Sequence, residues 1–492
     1  MPGQADYYSL LGVPRNASPD QLRRAYREAA LRLHPDKNVR PGDTELFLDV
    51  SKAYETLIDP EQRARYDESL AAGEADAAAQ SPFRCTILQS RTTLLQLDEP
   101  QVHYLLLSLR PAEGLPEIRP PINVCIVVDR STSMRGPRLD KVRSAALSIL
   151  KGLGERDSAS IVAFSDRAEL IVSPDQARNI ASARARLSLL QAGGGTEIGQ
   201  GLELGMAELQ HNFTREGVTH LVLLTDGRTY GDEAVCLALA DQAASQGITI
   251  NGVGIGADWS DRLLDDLASR TGGNVTFLDA PRSITGLLQT ILTDLGQVVA
   301  SRLRLEGSLG QQVDLRSAFR LQPDPMPMGD TLPMTLGNLQ RDGEVRLLLE
   351  LVVHPIGQIT RLTLGHFTVA GDLLSKDVSS DPLPVRAEID VSDKPDTNPP
   401  PQELVTALSQ LALYSLQEKA RHEAELGQAT QAARRLENLA TQLLASEERE
   451  LARAALNEAE RLTHTRRLST EGEKILKYGT RSLLLPARVA ES

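Results

Sequence analysis

Aromatic side chains are scarce in this sequence of 492 residues, at 3% of the chain. Aliphatic side chains must therefore fill its cores, and an apolar content of 41% is enough for sizeable ones. No stretch approaches the roughly 18 to 20 apolar residues that a membrane-spanning helix needs. The most apolar stretch, residues 284–300, carries Gln, Thr and Asp and predicts an amphipathic helix of a soluble protein.

Positive charge is also in deficit, since 53 Lys and Arg face 66 Asp and Glu and leave a net charge of -13. That balance argues against a general binder of nucleic acid or of acidic membranes. The cysteines, Cys85, Cys125 and Cys236, lie too far apart for metal-ligand spacing, and the latter two predict buried free thiols. Free thiols fit a reducing compartment, and the N-terminus lacks the pattern of a signal peptide, so we expect a cytoplasmic protein.

The length predicts several domains, and the middle of the chain divides into two kinds. Residues 121–295 alternate strands with helices, which predicts a doubly wound α/β domain with a mostly parallel sheet. Residues 296–391 show strands separated by turns, as in an antiparallel β-sandwich. The strand-like residues 83–120 are expected to pair with that sandwich, which would make the α/β domain an insertion.

Helices are expected at both ends of the chain. Residues 1–70 predict an all-α domain, and the small residues of 71–82 predict an unstructured linker. A proline-rich linker at 392–402 follows the sandwich. Residues 403–465 have helical periodicity typical of a helical bundle, and 466–492 are expected to form a C-terminal tail.

Polar residues follow directly after the most apolar strand of the α/β region. In "CIVVDRSTSMRG", residues 125–136, Asp129, Ser131 and Ser133 are spaced by twos. In an extended segment such residues point the same way, so their oxygens can converge beyond the strand. Such a group suits a cation, a phosphate or a nucleophile, and the carboxyl ends of parallel strands are where this fold class binds ligands.

Two further segments are predicted to end at the same edge of the sheet. Thr196 stands in the glycine-rich turn "GGGTEIG", and Asp226 follows the strand "LVLLT". Together with the first group they make a set of hard oxygen donors, which favours Mg²⁺ over metals that need thiolate or imidazole. If only Asp129 binds the ion directly, the ion keeps positive charge and an open position for a partner's carboxylate.

Because of these motifs, residues 121–280 resemble a von Willebrand factor A domain. "DRSTSMRG" is similar to the family's D-x-S-x-S adhesion motif, and "GGGTEIGQGL" and "LLTDG" supply the matching threonine and aspartate. The resemblance implies that Asp129, Ser131 and Ser133 are metal ligands, that Thr196 is a direct or near ligand, and that Asp226 acts through water. We expect Mg²⁺ as the cofactor, or another divalent cation such as Mn²⁺ or Ca²⁺, together with a protein partner, and the sequence does not show whether the partner's bound group is an acidic side chain.

The first 69 residues carry a second pattern. "LRLHPDKN" joins a helix that begins in "ASPDQLRRAYREAA" to the later stretch "FLDVSKAYETLIDPEQRARYD". Together these segments resemble a J-domain, the co-chaperone module of DnaJ-type proteins. The resemblance implies that His34, Pro35 and Asp36 stimulate the ATPase of a DnaK-type chaperone. It also implies that the basic strip of Arg23, Arg24 and Arg27 docks on that chaperone, an encounter that salt should weaken.

Enzymatic alternatives have weaker support. Gly252, Gly254 and Ala257, with Asp279 further on, imitate a dinucleotide-binding fingerprint. A hydrolase would need a general base near Ser131 or Ser133, and His220 is expected at the opposite end of its strand. We therefore expect no enzyme. The sequence predicts a co-chaperone adaptor that binds a DnaK-type chaperone and, through a Mg²⁺-dependent site, a protein partner. It does not identify that partner, the ion or the oligomeric state.

Overall fold

The computed structural model of this chain describes residues 7–13, 17–33, 43–280, 283–357, 359–375 and 381–485. Its first part is helical, with α1 (Tyr7–Leu11), α2 (Pro19–Leu33), α3 (Asp43–Ile58) and α4 (Pro60–Gln80). Leu22 of α2 is buried against Val50 and Leu57 of α3, and the ring of Tyr26 stacks on that of Tyr54 at 4.3 Å. These contacts form a small core of their own, as the sequence predicts for this end of the chain.

The predicted unstructured linker at 71–82 is wrong over most of its length, because α4 continues to Gln80. The stretch is rich in alanine, which has the highest helix propensity of all residues, so small side chains there extend the helix. The end of α4 is fixed to the next element, since Arg84 donates hydrogen bonds to the carbonyls of Ala78 (3.2 Å) and Ala79 (3.3 Å). A continuous helix therefore leads from the first domain into the β region.

The central domain follows three strands that belong to the sandwich, β1 (Phe83–Gln89), β2 (Thr93–Leu95) and β3 (Gln101–Pro111). Its own strands are β4 (Ile122–Asp129), β5 (Ser158–Phe164), β6 (Ala168–Val172), β7 (Val218–Thr225), β8 (Ile248–Ile255) and β9 (Val275–Leu278). Its helices are α5 (Pro137–Lys151), α6 (Pro174–Ala177), α7 (Ile180–Leu189), α8 (Ile198–His211), α9 (Glu233–Ser245), α10 (Asp261–Thr271) and α11 (Ile284–Leu295).

These strands form one sheet in the order β6-β5-β4-β7-β8-β9, parallel except for β6 at one edge. Helices cover both faces, so alternate residues of β4 are buried in different cores. Val124 and Ile126 pack with α5 and α11, whereas Cys125 and Val127 pack with α8. This is the doubly wound α/β domain that the alternating pattern predicts.

The sandwich continues with β10 (Val298–Leu309), β11 (Val313–Gln322), β12 (Met326–Gly329), β13 (Met334–Gln340), β14 (Val345–Val353), β15 (Arg361–Leu373) and β16 (Leu383–Ser392). One sheet has the order β1-β3-β14-β11-β12, and the facing sheet has the order β13-β10-β15-β16-β2. Strand β3 pairs with β14 along its length, with Leu105 opposite Leu349. The segments before and after the α/β domain thus build a single sandwich, and the α/β domain is inserted into it.

A buried arginine joins the sandwich to the α/β domain. Arg320 of β11 is 1% exposed and donates to the carbonyls of Gly272 (3.2 Å) at the end of α10 and of Leu336 (3.1 Å) in β13. Burial lowers the pKa of this guanidinium to about 10, which still leaves it charged at neutral pH. The two domains therefore share a buried cation held by backbone carbonyls from both sides.

The C-terminal region contains α12 (Gln402–Glu425), α13 (Ala429–Ala445), α14 (Arg449–Thr465) and α15 (Thr470–Ser482). Leu436, Leu443 and Leu462 are buried in the core of this bundle. The predicted C-terminal tail at 466–492 is wrong where it overlaps α15. That helix was missed because its inward face carries lysine and arginine, residue types that usually mark a solvated surface.

Opposite charges bind α15 to α10 of the α/β domain. Arg481 donates to both carboxylate oxygens of Asp265 at 2.8 and 2.9 Å, and Lys477 lies 2.7 Å from the same carboxylate. Lys477 also contacts Asp261, which accepts a 2.8 Å hydrogen bond from Arg421 of α12. Burial alone would raise the pKa of Asp265, but the charges of Arg481 and Lys477 outweigh it and hold that pKa well below its usual range.

Among the residues that the structure describes, no helix combines the length and apolar character needed to cross a bilayer.

We predict that Asp265→Asn will detach α15, because the substitution leaves Arg481 buried without a carboxylate and Lys477 with Asp261 alone. Removing one partner of a buried ion pair costs about 3–5 kcal/mol of stability. If the opening free energy of α15 falls by that amount, its backbone amides should exchange hydrogen at least about a hundredfold faster. Hydrogen-exchange mass spectrometry of the full chain measures this.

Asp241→Asn is the matched control for this substitution. Asp241 pairs with Arg270 at the surface, where the two side chains are 61% and 40% exposed, and such pairs contribute below about 1 kcal/mol. Equal protection of α15 in both variants would contradict a stabilising role for the buried charges.

Candidate metal centre

The predicted site residues lie at the carboxyl edge of the central sheet. Asp129 is the last residue of β4, and Asp226 directly follows the neighbouring strand β7. The two strands pair in parallel with Val128 opposite Leu224, so Asp129 lies beside Thr225 and Asp226 follows one residue later at the same edge of the sheet. A short 3₁₀ turn, Thr132–Met134, follows β4 and keeps its serines near the strand end.

Asp129 is a fully buried carboxylate with a hydrogen-bond donor on each oxygen. The backbone N–H of Ser131 donates to Oδ1 at 2.7 Å, and the hydroxyl of Thr225 donates to Oδ2 at 2.6 Å. Burial raises the pKa of Asp129, as does the nearby charge of Asp226, while the bonds from Thr225 and Ser131 lower it. A cation beside this group would offset the cost of burying its charge.

The serine hydroxyls connect the inner carboxylate to the outer one. The Oγ atoms of Ser131 and Ser133 lie 3.0 Å apart, and Ser133 Oγ donates to Asp226 Oδ1 at 2.7 Å. The other oxygen of Asp226 accepts from the guanidinium of Arg138, near the start of α5. Asp226 is 1% exposed, so both of its oxygens are engaged inside the protein.

Thr196 reaches the same place from the glycine-rich turn before α8. A Cβ added to Gly227 would lie 3.2 Å from Thr196 Oγ1 and 3.9 Å from Asp129 Oδ2. The glycine therefore leaves a space bounded by the threonine hydroxyl and the inner carboxylate. A larger side chain at position 227 would fill it.

This donor set fits a hard divalent cation. Within the described ranges, no group of three or more His, Cys, Asp or Glu side chains is arranged to hold a metal. An ion here would depend on hydroxyl oxygens as well as on carboxylates, which is the chemistry that Mg²⁺ accepts. The ion would be held by Asp129, Ser131, Ser133 and Thr196, and Asp226 would lie behind Ser133.

Two residues of the site were missed by sequence reasoning. Thr225 stands next to Asp226 in "LLTDG" and looks like the last residue of a strand, and Arg138 lies nine residues after Asp129 and looks like an exposed helix residue. The signal that could have identified both residues is their position relative to the ends of the strands. Thr225 ends a strand beside the inner carboxylate, and Arg138 lies in the first turn of the helix that follows the serine-containing turn.

The glycines that imitate a dinucleotide fingerprint are explained by packing. A Cβ on Gly254 would lie 1.8 Å from the ring of Trp259, and one on Gly252 would lie 3.1 Å from Leu264. Trp259 is 1% exposed, and Lys474 of α15 lies 3.7 Å from the centre of its ring. The space that a pyrophosphate would need is occupied by an indole, so this alternative loses its support.

His220 is not placed to act as the base of the hydrolase alternative. His220 lies in the first half of β7, six residues before Asp226, and is 4% exposed. In the described part of the chain its ring nitrogens have no hydrogen-bond partner, and burial lowers its pKa to about 4. The serine hydroxyls instead bond to each other and to Asp226.

The basic strip of the first domain is exposed on α2. Arg23 pairs with Asp20 at 2.8 Å, and Arg24 pairs with Glu28 at 3.0 Å. Arg27 donates to a backbone carbonyl of its own helix at 3.2 Å. Exposed pairs of this kind are weak, so the arginines can exchange them for an acidic partner. His34, Pro35 and Asp36 lie outside the described residues.

Three family models match separate parts of the chain. A DnaJ domain matches residues 6–67, a von Willebrand factor type A domain matches residues 123–290, and an Sll0103-like C-terminal alpha-helical domain matches residues 402–486. The first two confirm the resemblances drawn from the motifs. The third includes α15, which the sequence analysis had assigned to a tail.

Among curated proteins, the uncharacterized protein sll0103 of Synechocystis sp. is 30% identical over 307 residues, which are 59% of this chain and 72% of that protein. The chaperone protein DnaJ of Acaryochloris marina is 52% identical over 73 residues, which are 15% of this chain. That match covers only a fifth, 20%, of the DnaJ protein's length.

Among solved structures, a von Willebrand factor type A protein from Catenulispora acidiphila superposes with a TM-score of 0.63 at 16% identity, over 82% of this chain and 97% of that one. The ArnB paralogue VWA2 from Sulfolobus acidocaldarius gives a TM-score of 0.50 at 14% identity, over 83% of this chain and all (100%) of that one. At these identities the likeness concerns the fold alone.

We predict that Thr225→Val will destabilise the α/β domain, because a buried carboxylate loses a donor. The expected loss is about 1–3 kcal/mol. Urea unfolding in EDTA, followed by the fluorescence of Trp259, measures it, since the sequence contains 1 tryptophan and it lies in this domain.

Thr219→Val on the same strand is the control. The Thr219 hydroxyl is buried and has no hydrogen-bond partner among the described residues, so its removal should be neutral or stabilising. Equal losses in the two variants would mean that the bond to Asp129 contributes nothing specific.

Proposed function

The chain belongs to the family of the Synechocystis protein sll0103, and from that membership together with its DnaJ domain we propose that it is a co-chaperone adaptor. Its J-domain stimulates ATP hydrolysis by a DnaK-type chaperone. Its von Willebrand A domain binds a protein partner through a divalent cation held at the strand ends. The adaptor brings the chaperone to that partner.

The observation that carries the proposal is the convergence of hydroxyl and carboxylate oxygens from three separated loops, next to a space left open by Gly227. Asp129, Ser131, Ser133 and Thr196 are the proposed ligands. A bound Mg²⁺, or Mn²⁺ or Ca²⁺ in its place, would supply a positive charge that an acidic side chain of the partner can meet. The chain's own residues fix the position of that charge, because each is hydrogen-bonded or buried.

Docking on the chaperone is assigned to Arg23, Arg24 and Arg27, and stimulation to His34, Pro35 and Asp36. Three exposed cations on one helix would attract an acidic surface, although the chain as a whole has a net charge of -13. The DnaJ relatives support only the module, since the match covers about a fifth of the Acaryochloris protein. The action on a chaperone is therefore a proposal for this chain.

The two modules are joined by structure instead of a flexible tether. Helix α4 has 21 residues, a length of about 30 Å, and Arg84 fixes its end to the sandwich. The chaperone would then be presented at a defined distance from the sandwich, into which the α/β domain with the proposed metal site is inserted. We further propose that the protein is cytoplasmic, has no catalytic activity of its own and does not bind nucleic acid.

We predict that His34→Gln will abolish stimulation of a DnaK-type ATPase by the full chain. Steady-state ATP hydrolysis by the chaperone, with and without the variant, measures the effect. His211→Gln is the control, because His211 is exposed at the end of α8, far along the chain from the J-domain. Stimulation by the His34 variant at the wild-type level would refute the assignment.

We predict that Asp129→Ala will abolish Mg²⁺-dependent capture of protein partners from cell extract, because the proposed inner ligand is lost. Pull-downs in Mg²⁺ and in EDTA are compared. A second readout needs no partner: Mg²⁺ at a hundred times its dissociation constant should stabilise the wild-type Trp259 transition by about 2.7 kcal/mol.

The control for this variant is Asp140→Ala, which removes a carboxylate that is 65% exposed on α5. It should keep both the capture and the Mg²⁺ effect. If wild-type capture is the same in chelator, or if the Asp129 variant captures partners normally, the cation does not join the two proteins.

A further inference from the structure

Among the acidic side chains that the structure describes, Asp226 is the best placed to bind the proposed ion itself and so to block the site. It is linked to the inner group through Ser133, which donates to its Oδ1 at 2.7 Å. A carboxylate so near would be attracted to any divalent ion held by Asp129. If it entered the coordination sphere, it would occupy the position that a partner's carboxylate needs.

Arg138 holds the other oxygen of Asp226. The guanidinium bonds to Oδ2, and the same nitrogen lies 3.4 Å from the backbone carbonyl of Ser133. Both oxygens of the carboxylate are thus engaged, one on the side of the serines and one on the side of α5. The carboxylate is turned toward the arginine.

The backbone around Arg138 is shaped to allow this contact. Helix α5 begins at Pro137 after Gly136, whose φ is 81°, so Arg138 starts beside the strand ends. Gly256, after β8, also has a positive φ of 72°, and a Cβ there would lie 3.2 Å from Arg138 Nη2. Gly256 therefore leaves room for the guanidinium on its way to Asp226.

We propose that Arg138 is a positioning residue that keeps Asp226 out of the inner coordination sphere and so keeps the site open to a partner. This inference rests on the proposed cation site. The arginine neutralises the outer carboxylate and fixes its direction. The inner carboxylate and the hydroxyls then hold the ion, and one position stays free for the partner's acid.

The arginine also sets how tightly the ion binds in the absence of a partner. Its positive charge lies next to the site and opposes a second cation, while its bond removes one carboxylate from competition. Losing Arg138 should therefore tighten metal binding and reduce the open coordination. A merely structural ion pair would change the affinity through the lost charge but leave the hydration of the ion unchanged, so the hydration separates the roles.

The test is Mn²⁺ binding to the full chain, measured by electron paramagnetic resonance, with the hydration of bound Mn²⁺ measured by water-proton relaxation. Arg138→Gln should bind Mn²⁺ about tenfold more tightly, the order expected for removing one nearby positive charge. It should also retain fewer water molecules on the ion than the wild type. Arg138→Lys, which keeps the charge, should restore most of the wild-type affinity.

Arg135→Gln is the matched control, since Arg135 is exposed three residues earlier and carries the same charge. It should bind Mn²⁺ with wild-type affinity and hydration. Circular dichroism and the Trp259 unfolding transition establish that each variant is folded.

The outcomes distinguish the two proposals. If the wild type binds Mn²⁺ and Arg138→Gln matches it in hydration, with or without a change in affinity, the positioning role is overturned and the cation site stands. If Arg138→Lys behaves like Arg138→Gln, the charge of the arginine is not what holds Asp226, and the inference is again overturned. If the wild type binds no Mn²⁺, the proposed site fails and this inference fails with it.

Discussion

The burial of β4 on both faces is the constraint on which the rest of the central domain depends. Every residue from Ile122 to Asp129 is buried, so no polar group can be placed along the strand without a cost. The first position at which the chain can present charge is the strand end. Asp129 stands there, and its two oxygens are met by donors from its own turn and from the neighbouring strand. The candidate site follows from where a doubly covered sheet allows polar atoms.

Buried ion pairs between α10 and α15 also stabilise the α/β domain. Asp265 and Asp261 of α10 meet Lys477 and Arg481 of α15, and Lys474 lies against Trp259. Trp259 in turn fills the space above Gly254 and donates to the carbonyl of Gly256, the residue beside Arg138. The C-terminal helix and the edge of the sheet that carries the candidate site are therefore connected through one loop. Docking of α15 supports the loop on which Arg138 rests.

Much of this architecture could be predicted from the sequence, because the elements that pack by apolar contacts show it in their pattern. Alternation of strands and helices indicates the α/β domain, and the motifs that contain Asp129, Thr196 and Asp226 indicate its candidate site residues. Those residues do meet at one edge of the sheet.

The features that were missed depend on pairing between distant residues. Helix α15 packs through lysine and arginine, and its acidic partners lie more than 200 residues earlier, so local pattern indicates a solvated surface. Arg138 and Thr225 act through one bond each, to carboxylates 88 and 96 residues away. The predicted linker at 71–82 failed for a different reason, since small residues without an apolar stripe can be helical when they are mostly alanine.

Because α4 is a single unbroken helix, the number of residues in it determines the direction in which the J-domain faces. An α-helix turns by about 100° for each residue, so one residue added within it would rotate everything before it by that angle around the helix axis. Four added residues would bring nearly the same side round again, about 6 Å farther out. The number of residues between the core of the J-domain and Phe83 therefore sets the orientation of the J-domain as well as its distance from the sandwich.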